Sequence, residues 1–133
     1  GRAHGGLPSY KHAIPSLLEY NGITLKEFPI NTHNLFGKPY IFSGGGYFRL
    51  LPYELIKSFT KKSDYVMSYF HPRDFDYEQP VIPGLSLSRR FKSYVGLKKC
   101  QPKLERWLND FDFIDLQQAN KKVNWAKTPI VNL

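Results

Sequence analysis

The sequence is poor in cysteine, and its single thiol, Cys100, excludes an internal disulfide and any cysteine-rich zinc site. Long apolar runs are also missing, because nowhere do 18 apolar residues follow one another, so no transmembrane helix is expected. The opening Gly1-Arg2-Ala3-His4-Gly5-Gly6 has no apolar stretch after its arginine, so it does not read as a signal peptide. The expectation is a soluble chain, with the compartment left open between the cytoplasm and the cell envelope. There is no internal repeat, no Gly-Lys-Ser/Thr after a glycine loop and no G-x-S-x-G, which excludes a solenoid, a P-loop and a nucleophile elbow. Acidic residues are scarce, with 11 Asp and Glu against 19 Lys and Arg, for a net charge of +8.

What is present is an ordinary globular balance, with 41% hydrophobic and 23% charged residues in 133, enough for one domain. Aromatics reach 16%, which serves a core and also suits contact with sugars or bases. The positive charge is spread over Lys57, Lys61, Lys62, Arg89, Arg90, Lys92, Lys98, Lys99, Lys103, Lys121 and Lys122, alternating with apolar positions as on a solvated face. That spread argues against nucleic acid, which is not expected as a partner. An anionic glycan or a membrane surface would be served equally well by this field.

Along the chain, residues 1–22 read as loop, punctuated by Gly5-Gly6, Pro8, Pro15 and Asn21-Gly22. A strand is expected over 23–31 and a short one over Tyr40-Ile41-Phe42, stopped by Ser43-Gly44-Gly45-Gly46. Pro52 opens a helix with Leu55, Ile56 and Phe59 on its apolar side. Residues 64–70 are nearly all β-prone and read as a buried strand, ending at His71-Pro72-Arg73-Asp74. Strand, helix and strand in that order make a βαβ unit, whose ligand sites lie beyond the carboxyl ends of the strands. Both His71 and the triple glycine fall there. Helices follow over 86–94, stopped by Gly96, and from Pro102 with Leu104, Trp107, Leu108 and Phe111 in register. A last strand is expected over 113–116 and a polar helical turn over 117–122. Residues 128–133 are extended and apolar, so they are expected to pair or pack.

His71 is the leading catalytic candidate, since imidazole titrates near neutrality and can give or take a proton, and Pro72 stiffens its turn. Asp74 and Asp76 are close enough in sequence to orient it. The glycine block is either a tight turn with positive φ or a floor where a ligand meets main chain, with Tyr47 and Arg49 placed to stack on and hydrogen-bond a ring. Arg49 could equally cap a helix or pair with a carboxylate. His4, His12 and His33 have no metal-ligand spacing. Cys100 has no partner for nucleophilic chemistry and reads as a helix-face residue, and Asp112 and Asp115 read as solvated.

Four blocks then carry a resemblance. Ser43 to Pro52 (SGGGYFRLLP) resembles the hallmark of a subfamily of bacterial polysaccharide deacetylases. Tyr69-Phe70-His71-Pro72, with Asp76 and Glu78-Gln79-Pro80, resembles its histidine–proline block, and Arg90-Phe91-Lys92-Ser93-Tyr94 and Leu104 to Phe113 resemble its tail. Arg2-Ala3-His4-Gly5-Gly6 and Glu27-Phe28-Pro29 also fit, so the likeness covers residues 2–116. The subfamily belongs to the NodB-homology group, carbohydrate esterase family 4. The resemblance implies an α/β fold forming the C-terminal part of a distorted (β/α) barrel. Residues 1–83 would supply barrel-derived strands and a helix, and 84–133 a helical C-terminal extension, within one unit. It implies zinc-dependent hydrolysis of the N-acetyl group of amino sugars in a polysaccharide.

On that basis His71 takes the role of the late general acid, with Asp74 as its acidic neighbour in the catalytic set. Gly45, Gly46, Tyr47 and Arg49 fall on the substrate side. Arg73 stands where the subfamily usually has Trp, and Asp74 where it has Glu. The catalytic aspartate and the Asp-His-His metal triad have no counterpart in this sequence, so no metal or other cofactor is expected in the chain itself. A divalent metal, zinc, is implied for a complete enzyme whose earlier half would precede Gly1. The expected partners are an N-acetylated glycan, that upstream half of the same polypeptide, and a second copy in a homodimer, because a partial barrel exposes strand edges. The rival readings are a non-catalytic glycan-binding or accessory module and, more remotely, a nucleic-acid binder with steeply salt-dependent affinity.

Overall fold

The computed structural model describes residues 13–35 and 37–133. It is a mixed α/β structure whose strands form one three-stranded sheet and one hairpin, and no barrel closes among the described residues. The chain gathers into two compact units, one of residues up to Pro29 with Ile114–Leu133, the other Ile30–Phe113.

In the first unit β1 (Ser16–Tyr20) and β2 (Ile23–Glu27) form an antiparallel hairpin. Asn21 and Gly22 turn it with φ of 48° and 77°, the left-handed pair that a two-residue hairpin demands. The expectation of loop up to residue 22 therefore fails at Ser16–Tyr20, where Asn21-Gly22 marks a hairpin rather than a break. The extended C-terminal segment does pair: β5 (Ile130–Asn132) runs parallel to β1, in sheet order β2-β1-β5. Leu18 and Val131 supply its buried hydrophobic side chains. The strand expected over 113–116 is not formed. Instead Asp115 caps α5 (Leu116–Lys122), its Oδ1 accepting the Gln118 N–H at 2.7 Å. Trp125 closes the unit, lying edge-on to Phe28 at 5.3 Å, with its indole N–H donating to the Asn120 carbonyl at 3.0 Å.

The second unit holds a short hairpin, β3 (His33–Leu35) and β4 (Lys38–Tyr40), then α1 (Gly45–Leu50) and α2 (Tyr53–Lys61). After them come a 3-10 turn at Pro72–Asp74, α3 (Leu87–Tyr94), a second 3-10 turn at Leu97–Lys99, and α4 (Cys100–Asp110). Pro52 stands just before α2 and Ser86 caps α3, so both helices start where their sequence signals lie. Tyr53, Ile56 and Phe59 of α2 meet Trp107 and Cys100 of α4 and Phe42 and Phe48 in one buried cluster. Trp107 is fully enclosed yet satisfied, because its indole N–H donates to Thr60 Oγ1 at 2.9 Å. Enclosure also pushes the Cys100 thiol up to about 11. Lys103 reaches from α4 to the end of α1, donating to the carbonyls of Phe48, Arg49 and Leu51 at 2.8, 3.0 and 2.6 Å. Those are carbonyls that a helix end leaves unpaired. Burial lowers the affinity of this ammonium for its proton below the ordinary lysine value.

Residues 64–70 do not form the expected strand. One parallel bridge, Gly44 to Tyr69, is all that remains of the βαβ pairing. Side chains have taken the backbone groups a ladder would use: the Met67 N–H donates to Asn31 Oδ1 at 3.2 Å, and the Met67 carbonyl accepts from Ser43 Oγ at 2.7 Å. Val66 and Phe70 still pack on the core. No helix among the described residues is long and apolar enough to cross a membrane.

Candidate functional site

The glycine block and the His71 loop are far apart in sequence and adjacent in space. The Tyr69 N–H donates to the Ser43 carbonyl at 3.4 Å, and a Cβ on Gly44 would fall on the Tyr69 carbonyl oxygen. Gly44 is therefore required by the approach of two main chains, not by its dihedrals, which are extended. Positive φ occurs at Gly45 (55°), the position where the expected tight turn is found. Gly45 opens on free space, whereas a Cβ on Gly46 would lie in ordinary contact with Arg49 Nη2 at 3.6 Å and the Lys92 carbonyl oxygen at 3.7 Å. Tyr47 follows, exposed and edge-on to Tyr40 at 6.4 Å.

His71 heads the 3-10 turn at Pro72–Asp74, and Pro72 suits the first position because it lacks only an amide that would go unpaired. Its ring is exposed and meets the edge of Tyr69 at 4.8 Å. Asp74 Oδ2 accepts the His71 main-chain N–H at 2.9 Å, and the Asp74 N–H donates back to the His71 carbonyl at 2.9 Å. The carboxylate thus fixes the backbone from which the ring projects. Asp74 is itself buried, and its Oδ1 lies 3.3 Å from Arg49 Nε. Arg49 Nη1 donates to the Ser93 carbonyl at 2.9 Å and Nη2 to the Lys92 carbonyl at 3.1 Å.

Of the three roles the sequence allows Arg49, substrate contact, helix cap or carboxylate partner, the geometry shows the last two, since the Lys92 and Ser93 carbonyls belong to the last turn of α3. Its side chain is 6% exposed and its terminal nitrogens are taken by main chain. Asp74 likewise meets the main chain of His71. The ion pair joins α1 to the His71 turn, and the two carbonyls join both to the end of α3. His71 and Tyr47 are exposed and Gly45 opens on free space, whereas Arg49 and Asp74 are buried. Asp76 accepts the Glu78 N–H at 3.1 Å and shapes the following turn.

Among the described residues, His33 does not join this site. His33 stacks on Phe59 at 4.1 Å, and His4 and His12 lie outside the described residues. Among the described residues no three His, Cys, Asp or Glu side chains form a group that could hold a metal ion. Sequence reasoning misses Asn31 and Ser43, whose buried side chains hold the Met67 segment against the glycine block. No local pattern marks them, because their partner is 24 or more residues away.

Fold and site together define a small mixed α/β module that presents one exposed imidazole on a turn braced by a buried ion pair. The chain belongs to the family described as a domain of unknown function, DUF3473, whose model matches residues 1–121. That family is associated with the C-terminal region of polysaccharide deacetylases. No curated protein and no solved structure matches the chain.

Proposed function

We propose that this chain is the C-terminal portion of a metal-dependent polysaccharide deacetylase of the NodB-homology group, and that His71 is its general acid. The observation that carries the reading is the exposed His71 ring, held by Asp74 and Arg49 beside the glycine block. Hydrolysis of an N-acetyl group forms a bond from water to the acetyl carbon and breaks the carbon–nitrogen bond. The nitrogen leaves readily only once it has taken a proton, and an imidazolium on a fixed turn can supply one. In this reading Tyr47 and the glycine block of Gly45 and Gly46 border the sugar, with Gly45 opening on free space. Arg49 and Asp74 are positioning residues, since neither is free to touch substrate.

A divalent metal in the complete enzyme would polarise the acetyl carbonyl and acidify the attacking water. The described residues offer no donor set for it, so the step assigned to this chain is the proton transfer alone.

The test is His71→Gln in the full polypeptide that carries this segment, assayed for acetate release from a chito-oligosaccharide. Loss of a general acid lowers kcat by about 10²–10⁴-fold with KM little changed. Asp74→Asn lowers kcat less, and the 133-residue chain alone releases no acetate. An unchanged kcat in the His71 variant overturns the assignment and leaves a non-catalytic glycan-binding module as the better account.

A further inference from the structure

A groove of about 640 Å³ lies within the second unit, lined by Arg49 but by neither Asp74 nor His71. Its volume lies inside the roughly 300–1,000 Å³ typical of ligand sites. Arg90, Lys98 and Lys99 line it, and no aspartate or glutamate does. None of the three enters an ion pair among the described residues. One-signed charge around a concave wall focuses potential on whatever enters.

The groove is built rather than incidental. Its far wall, residues 77–81, is tied down by Tyr94, whose hydroxyl accepts the Ile82 N–H at 2.9 Å and donates to the Pro80 carbonyl at 3.1 Å. Gln79 locks the same wall, donating to the carbonyls of Arg73 at 2.7 Å and Asp76 at 2.6 Å. At its base, Gly96 (φ 70°) has no room for a side chain, since a Cβ would sit 2.6 Å from the Arg49 carbonyl oxygen. On the wall Tyr77 is 54% exposed, with the Lys98 ammonium 5.9 Å from its ring centre. An aromatic face beside ammonium groups suits a ring with apolar C–H faces and a negative substituent.

We propose that this groove binds a short stretch of acidic polysaccharide, a chain bearing sugar carboxylates. The carboxylates would meet Arg90, Lys98 and Lys99, and one sugar face would rest on Tyr77. Among the described residues only three free basic side chains line the groove, with the exposed Tyr77 among them. That favours a few sugar units over a nucleic-acid backbone, which calls for a longer basic track. Taking that polymer as the substrate rests on the deacetylase reading, but the binding itself does not.

Titration calorimetry of the 133-residue chain with an oligogalacturonate tests it. The expected result is saturable binding, weakened at least about tenfold in the combined Arg90→Gln, Lys98→Gln, Lys99→Gln variant and about threefold or more in Tyr77→Ala. Binding should also weaken as salt is raised, and a neutral chito-oligosaccharide should bind at least about tenfold more weakly. Because the substituted side chains are exposed, melting temperatures should stay near that of the parent. Should a variant misfold, the salt series and the neutral-sugar comparison on the parent chain still decide. No binding, binding indifferent to salt or to the triple substitution, or equal affinity for the neutral sugar overturns the proposal. Tighter binding to a DNA duplex that is indifferent to Tyr77→Ala also overturns it, in favour of a general polyanion surface. Intact oligogalacturonate binding with no effect of His71→Gln on acetate release would remove the deacetylase reading and leave this one standing.

Discussion

Replacing Asp74 is the sharpest test of how the His71 turn is held. Asp74 and Arg49 each have side chains 6% exposed, and their charges lie 3.3 Å apart. Deleting the carboxylate leaves the guanidinium with only the Lys92 and Ser93 carbonyls, an uncompensated buried charge that costs about 3–5 kcal/mol. Asp74→Ala also strips the acceptor from the His71 N–H, a capping contact of about 1 kcal/mol. Asp74→Asn keeps an oxygen for that N–H and loses only the charge. The expected order of stability is parent, then Asp74→Asn, then Asp74→Ala. The last loses about 4–6 kcal/mol of a total near 5–15 kcal/mol. Adding Arg49→Met to Asp74→Asn should restore part of the loss, with a coupling of about 1–3 kcal/mol. Urea unfolding at neutral pH, followed by far-ultraviolet circular dichroism, measures each value. If Asp74→Ala unfolds within about 0.5 kcal/mol of the parent, as ordinary surface substitutions do, the ion pair does not brace the turn.

Gly44→Ala places a methyl group on the Tyr69 carbonyl and should lose about 1–3 kcal/mol, with amide chemical shifts moving at Tyr69 to His71. Unshifted His71-loop resonances would deny the close approach. Lys103→Met keeps the aliphatic stem but strands three α1 carbonyls, and urea unfolding should register a loss of about 1–3 kcal/mol. Cys100 sets an alkaline dependence. Its folded value, about 11, lies above the ordinary 9.0, so its contribution is complete below pH 9 and is lost as pH rises towards 11. The difference in unfolding free energy between parent and Cys100→Ala should fall by about 2 kcal/mol between pH 9 and pH 11, and a flat difference refutes it. In the folded chain a thiol reagent should label Cys100 only as fast as the unit opens.

The helices after Pro52 were the legible part of this fold, whereas α1, in the glycine block expected to be a turn, was not. Pro52, Ser86 and Gly96 act locally, and the residues they punctuate form α2 and α3 as their patterns indicate. The strands were less so, because a ladder depends on a neighbour that sequence does not locate. Residues 64–70 have the side chains of a strand, yet Asn31 and Ser43 take the backbone groups of Met67 and leave one bridge. Ser16–Tyr20 looks like loop until its partners, Ile23–Glu27 and Ile130–Asn132, are in view. The site divides in the same way. The motifs pick out His71, Gly45 and Tyr47, which the structure leaves open, and also Gly46, Arg49 and Asp74, which it backs with neighbours or turns inward. A charged side chain in a motif carries no mark of whether it faces a ligand or a carboxylate elsewhere in the chain.

The three-stranded sheet bears on how the molecule is made. Its central strand is Ser16–Tyr20, but one of the two flanking strands is Ile130–Asn132. During synthesis, the unit spanning Ile30–Phe113 can collapse as soon as it has left the ribosome. The Ser16–Glu27 hairpin must wait until Ile130–Asn132 has been made, and a two-stranded ribbon alone is only marginally stable in water. A chain stopped short of Ile130 would be released with its imidazole-bearing turn assembled and an unfinished ribbon exposed to other nascent chains.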